Sequence, residues 1–133
     1  MDRKEQATFL HKQGFNCAQS VACSFCNVMG ADPTTTFRLA EGFGFGMGTM
    51  GTCGAVSAMA MVAGMKISDG NLDEPKTKKE CYAMMKKLSK EFEEINGSLI
   101  CSELKSAGND GRKSCDELIQ CAVELLDKHL LGL

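Results

Sequence analysis

One stretch limits the fold more than any other: Glu41 to Met65, EGFGFGMGTMGTCGAVSAMAMVAGM. Six glycines fall between Gly42 and Gly54, and they lead straight into Cys53. Phe43-Gly44-Phe45-Gly46-Met47 alternates, but glycine at every other place weakens a strand, so a loop is expected here. From about Gly54 to Lys66 the chain turns helical. Gly54, Ala55, Ser57, Ala58, Ala60, Ala63 and Gly64 are small enough for close helix contact, while Val56, Met59, Met61, Val62 and Met65 supply bulk. A helix apolar nearly all round belongs at the centre of a fold.

The other segments are read as helices packed around it. Asp2–Gln13 carries Ala7, Leu10 and His11 at helical spacing, and Gly14 stops it. Asn16-Cys17-Ala18-Gln19 has the form of a capping box, with Phe15 before it as a staple. Cys17, Val21, Ser24 and Val28 then share one stripe, and Gly30 ends the helix. Pro33 suits the first position of a third helix, which Gly42 closes. Ser68–Pro75 is a turn-rich connection. Lys76–Asn96 is a long amphipathic helix with Tyr82, Met85, Leu88, Phe92 and Ile95 inward. Ser98–Lys105 is a short helix, and Ser106–Lys113 is a loop. In the last helix, Ser114–Leu131, Ser114 and Glu117 form a second capping box. No convincing strand, repeat or second domain is visible. The expected fold is all-α: one domain over residues 1–133, about six or seven helices, with the Ala/Gly/Met-rich helix central.

Composition removes several function classes. A net charge of −2 gives no basic stripe for nucleic acid. No run of about 18 apolar residues exists, so no membrane insertion is expected. The charged first residues lack an apolar signal region, which points to a cytoplasmic protein. Eight cysteines among 133 residues is a high count. In a reducing compartment they favour metal ligation or redox chemistry over a disulfide framework.

Four of these cysteines share a local context. Cys17 follows the Asn16 cap, Cys53 heads the central helix, Cys101 lies in the first turn after Ser98, and Cys115 follows the Ser114 cap. A helix N-terminus presents unpaired amides and about half a positive charge, which favours thiolate over thiol. The thiolate is both nucleophile and metal ligand. Four of them meeting at one end of a bundle would hold an iron–sulfur cluster or a zinc ion. Two would make a reversible disulfide. Burial as small apolar side chains is the plain alternative for each. Cys23, Cys26, Cys81 and Cys121 fall inside helices. Cys23-Ser24-Phe25-Cys26 is formally C-x-x-C, but it lacks the strand context of a redox motif.

Gly46-Met47-Gly48-Thr49-Met50-Gly51 is formally G-x-G-x-x-G, yet no βαβ unit surrounds it to make a dinucleotide site. Gly51 and Gly54, on either side of Cys53, are better read as letting the backbone approach a cofactor closely. His11 and His129 read as surface residues.

The residues resemble a known family: redox-active proteins named for a C-GCAxxG-C-C cysteine pattern. The resembling segments are Gly14–Val21, Gly42–Gly44 through Cys53–Val56, Cys101–Leu104, and Cys115 with the helix after it. Carried across, the four characteristic cysteines are Cys17, Cys53, Cys101 and Cys115, the set that capping selects. One departure stands out. The family's C-G-A-x-x-G reads here Cys53-Gly54-Ala55-Val56-Ser57-Ala58, with Ala58 at the last glycine. The resemblance implies redox activity, a bound iron–sulfur centre and a redox partner protein. A homodimer is left open, as is whether the protein is an enzyme.

Three functions compete. The first is electron transfer through a metal centre ligated by Cys17, Cys53, Cys101 and Cys115. The second is a metal-free thiol–disulfide protein or sensor in which Cys53 is the acidic attacking thiol. The third is a helical interaction module with structural zinc.

Overall fold

A computed structural model describes residues 1–106 and 113–133. Among the described residues there are eight helices and no strand. They are α1 (Arg3–Lys12), α2 (Cys17–Ser24), α3 (Cys26–Met29), α4 (Pro33–Glu41), α5 (Gly54–Ile67), α6 (Lys78–Asn96), α7 (Cys101–Leu104) and α8 (Cys115–Leu131). The expected loop at Ser106–Lys113 lies, apart from its two ends, outside the described residues.

The helix starts are fixed by local chemistry. Asn16 Oδ1 accepts from the Gln19 amide at 2.9 Å, and Gln19 Oε1 accepts from the Asn16 amide at 3.0 Å. Ser114 and Glu117 make the same reciprocal pair at 3.2 and 3.4 Å. Both capping boxes legible in the sequence are therefore present. Asp2 and Glu5 add a third on α1. Phe15, just before the Asn16 cap, also reaches a neighbouring helix. Its ring meets Phe37 of α4 edge-on, with centroids 4.9 Å apart.

Residues 17–29 were expected as one helix and form two. Phe25 at φ −100°, ψ −5° ends α2 and starts α3. Ser24 Oγ donates to the Val21 carbonyl at 2.7 Å, and the Phe25 amide donates to the Ala22 carbonyl at 3.2 Å. A hydroxyl bonded back to the preceding turn competes with the helical ladder and bends it. The break moves Val28 off the inner stripe into solvent. Phe25 itself is fully buried, with the Arg3 guanidinium 4.7 Å over its ring.

Helix α5 is central, as expected from its composition. It packs against α2, α6 and α8. Ala55, Ala58, Met59, Val62 and Ala63 are buried on it, while Ala60 reaches solvent. Helix α2 shares the centre, touching α1, α4, α5 and α8. Truncating Met59, which is fully buried, would cost about 2–5 kcal/mol in transfer energy and cavity. On α6 the inner stripe is narrower than the spacing suggests. Leu88 and Phe92 are buried and Met84 and Met85 partly so, but Tyr82 and Ile95 are exposed.

The glycine loop is a loop, with one irregular turn at Gly46–Met50. Gly46 O closes it, accepting from the Gly51 amide at 3.0 Å and from Thr49 Oγ1 at 3.1 Å. Phe45, Met47 and Met50 sit at φ 55°, 58° and 58°, a left-handed conformation that costs bulky residues energy. The loop then makes one isolated antiparallel bridge, Thr52 to Ile100, which joins the start of α5 to the start of α7. No helix among the described residues is long and apolar enough to cross a membrane.

A cysteine cluster at four helix starts

The placement expected from capping is observed. Cys17, Cys101 and Cys115 are the first residues of α2, α7 and α8, and Cys53 immediately precedes α5. Two devices bring these starts together. The first is the Thr52–Ile100 bridge. The Cys53 amide donates to the Leu99 carbonyl at 2.8 Å, and the Cys101 amide donates to the Gly51 carbonyl at 2.7 Å. The second is Gly54. A methyl group there would lie 2.9 Å from the Phe43 carbonyl oxygen, 3.3 Å from the Ala18 amide nitrogen and 3.4 Å from Cys17 Cβ. The head of α5 thus touches the head of α2, which only a bare backbone allows. Gly44 lies equally tightly against the Asn16 side chain, whose Nδ2 donates to the Glu41 carbonyl at 2.9 Å. The loop is clamped to the cap that presents Cys17. Gly54 therefore serves close backbone approach to α2, whereas a methyl group at Gly51 would meet only its own loop, Gly46 O at 3.2 Å and Thr49 Oγ1 at 3.4 Å.

The ligand atoms of His11, Cys17 and Cys115 all lie within 4.8 Å of one another. His11 is near the end of α1, and its Nδ1 is 2.9 Å from Oδ1 of Asp116, the residue after Cys115. It is therefore no bystander on the surface. No local signal marks it, because its neighbours in space arrive from 105 residues away. His129 is not a free surface residue either. Its side chain is largely buried, and its Nε2 pairs with Glu91 Oε2 at the far end of α8.

Electrostatics divides the four thiols. Cys115 is held well below its ordinary value, to about 5. A hydrogen bond from Cys17 is the largest cause; a hydrogen bond from Lys105 and the charges of Lys105 and His11 add to it. Cys17 moves the other way. It keeps its proton to donate to Cys115, and burial adds to the shift. Lys105 is itself stabilised as a cation by the Cys115 sulfur. The pair is one Cys17 thiol beside one Cys115 thiolate, with an ammonium to balance the charge.

The acidic thiol is thus Cys115, not Cys53. Cys53 is buried, and desolvation raises it above its ordinary value. The amides of Ala55 and Val56 pull it down, but by less. The charges of Cys101 and Cys115 act on Cys53, and that of Cys53 acts on Cys17. All four cysteines therefore share one electrostatic neighbourhood, in which Cys53 and Cys101 are buried and Cys17 and Cys115 half-buried.

The remaining cysteines lie elsewhere. Cys121 faces Asn96, whose Nδ2 is 3.4 Å from its sulfur, and Cys81 packs partly against the core. Cys23 and Cys26 flank the α2–α3 break.

An all-α bundle that gathers four thiols at its helix starts is a small helical thiol protein. The chain belongs to the family described as "Putative redox-active protein (C_GCAxxG_C_C)", whose sequence model matches residues 15–129. That span includes all four clustered cysteines and begins after His11. No curated protein and no solved structure matches the chain.

Proposed function

We propose that this protein transfers electrons through a cysteine-ligated metal centre, an iron–sulfur cluster, held by Cys17, Cys53, Cys101 and Cys115. The observation that supports it is that four separate helix starts bring these cysteines into one neighbourhood: Cys115 and Cys53 act on Cys17, and Cys101 and Cys115 act on Cys53. The donor set fits. Thiolates are the ligands of iron–sulfur clusters, and helix-start amides favour thiolate. Lys105 offsets the negative charge that several thiolates accumulate. When bound, such a cluster supplies one-electron chemistry. This chain's own residues supply ligands, amide dipoles and, through burial of Cys53 and Cys101, partial exclusion of water. A redox partner protein follows from that reading.

Anaerobic purification and cluster reconstitution test it, with iron, sulfide and visible absorption as readouts. A coloured protein with iron and sulfide is expected. A colourless, iron-free protein after reconstitution overturns it. One zinc per chain without iron would point to the compact set of His11, Cys17 and Cys115, since tetrahedral zinc takes both imidazole and thiolate.

A second reading has its own observation, the hydrogen bond between the Cys17 thiol and the Cys115 thiolate. In it the Cys115 thiolate attacks a substrate disulfide and forms a mixed disulfide, and Cys17 then displaces the substrate. Cys17→Ser should trap the mixed disulfide with 5,5′-dithiobis(2-nitrobenzoate), whereas the wild type should release a second thionitrobenzoate.

A further inference from the structure

A second thiol pair lies outside the four-cysteine cluster. Cys23 and Cys26 flank the α2–α3 break, near enough for Cys26 to act on Cys23, and both line an open groove of about 610 Å³. Leu10, Phe15 and Phe37 wall this groove, and the edge-on Phe15–Phe37 contact forms part of it. Its polar lining residues include Gln6, Asn27 and Thr34, and no charged residue lines it. Phe25 shapes the site by breaking the helix between the two cysteines.

We propose that Cys23 and Cys26 form a second dithiol/disulfide couple, whose oxidant is a neutral, ring-sized two-electron acceptor of the quinone class bound in this groove. The reaction balances. Two S–H bonds break and one S–S bond forms. Two electrons and two protons pass to the quinone oxygens, giving the hydroquinone. Cysteines three residues apart at a helix break are near enough to join without moving the backbone far.

Three features select this class of acceptor. An uncharged groove offers a charged disulfide no partner, whereas apolar walls with aromatic faces suit a flat neutral ring. The reaction starts and ends neutral, so no net charge is left behind in an apolar site. Burial and the neighbouring Cys26 push Cys23 up to about 11, so Cys23 rests as a thiol. A thiol of high pKa is a poor leaving group, so a disulfide through Cys23 resists reduction and the dithiol is a good reductant.

The full chain is incubated anaerobically with duroquinone, whose methylated ring carbons block thiol addition. Tandem mass spectrometry locates the disulfide, and absorbance measures hydroquinone. A Cys23–Cys26 disulfide with one hydroquinone per bond formed is expected. The rate should rise about tenfold per pH unit from pH 7 to 10, following the thiolate fraction of a group titrating near 11. Glutathione disulfide should oxidise this pair at least tenfold more slowly. Thr34→Trp, at an exposed lining position, should slow the quinone reaction at least tenfold while circular dichroism stays unchanged. Cys23→Ser should abolish the disulfide. The proposal is overturned if duroquinone forms no Cys23–Cys26 bond, if glutathione disulfide is equally fast, or if a folded Thr34→Trp protein reacts within twofold of wild type. Mass spectrometry reports the Cys23–Cys26 bond by itself, so this readout does not depend on the state of the Cys17–Cys115 site.

Discussion

Cys53 and Cys101 are held side by side by backbone alone: the amide of each donates to the carbonyl two residues before the other, at 2.8 and 2.7 Å. Neither bond uses a sulfur atom. The thiols are therefore positioned before any ligand arrives, and both are buried. The α7 contribution depends on this bridge, because α7 spans only Cys101–Leu104 and could not hold its own orientation in water. Amide hydrogen exchange should show the Cys53 and Cys101 amides protected together, several-fold above those of Gly48 and Thr49 in the same loop. Independent exchange of the two would separate α7 from the site.

Gly54 carries the other approach. Gly54→Ala puts a methyl group against the Phe43 carbonyl and the head of α2. Overpacking of this kind costs about 1–3 kcal/mol. The expected result is a lower melting temperature together with reduced metal loading, because the start of α5 must move away from Cys17. Ala63→Gly, in the same helix but remote from the cluster, costs about 1 kcal/mol in helix propensity and should leave loading intact. Equal loading in both variants would show that the close approach is packing only.

How much was visible in the chain can be argued from single residues. Asn16 and Ser114 announce their helices because a capping box is local, readable within four residues. That placed Cys17 and Cys115 at helix starts. The all-α fold and central α5 followed from equally local signals, spacing and small side chains. His11 and Lys105 were not legible, because their roles come only from meeting Cys115 across the fold. The low value of Cys115 was hidden for the same reason. A helix start predicts a depressed thiol at all four positions, but desolvation reverses the sign at Cys53. The break at Phe25 was missed because spacing arguments assume an unbroken ladder, which Ser24 interrupts.

Lys105 should set the reactivity of Cys115. Iodoacetamide alkylation of Cys115 in the apo protein should rise to half its maximum at about pH 5. Lys105→Met removes both a hydrogen bond and a charge, so the midpoint moves up. Each unit of upward shift lowers the rate about tenfold on the acidic side of the curve. Cys53 should stay slow throughout, through both burial and a raised value. An unchanged midpoint in Lys105→Met would leave the Cys17 hydrogen bond and the His11 charge as the causes.

His11 separates the two metal readings. If zinc sits on the compact His11, Cys17 and Cys115 set, His11→Ala should lower zinc affinity at least tenfold. If iron–sulfur loading uses the four cysteines, the same variant should keep its iron, while Cys53→Ser and Cys101→Ser should lose it. Metal content by mass spectrometry reads both outcomes on the same proteins.

The thiol pair also gives stability a defined pH dependence. Cys115 is depressed to about 5 from an ordinary value near 9. Between those values the unfolded chain binds a proton that the folded chain has released, so stability rises with pH. The contribution is complete above about 9 and is lost as pH falls through about 5. Cys17 and Cys53 are raised, so their contribution is present below the ordinary thiol range and falls as pH rises beyond it. The apo protein should therefore gain from these groups up to about pH 9 and lose above it. Cys115 is only half-buried, so solvent screening keeps the rising slope below the limit of about 1.4 kcal/mol per pH unit. Cys115→Ala removes that rising limb, which makes the stability difference between wild type and variant the cleanest measure. Urea titrations at steps from pH 5 to 9 should show that difference growing with pH. A constant difference would mean that the Cys115 thiolate does not exist in the folded chain.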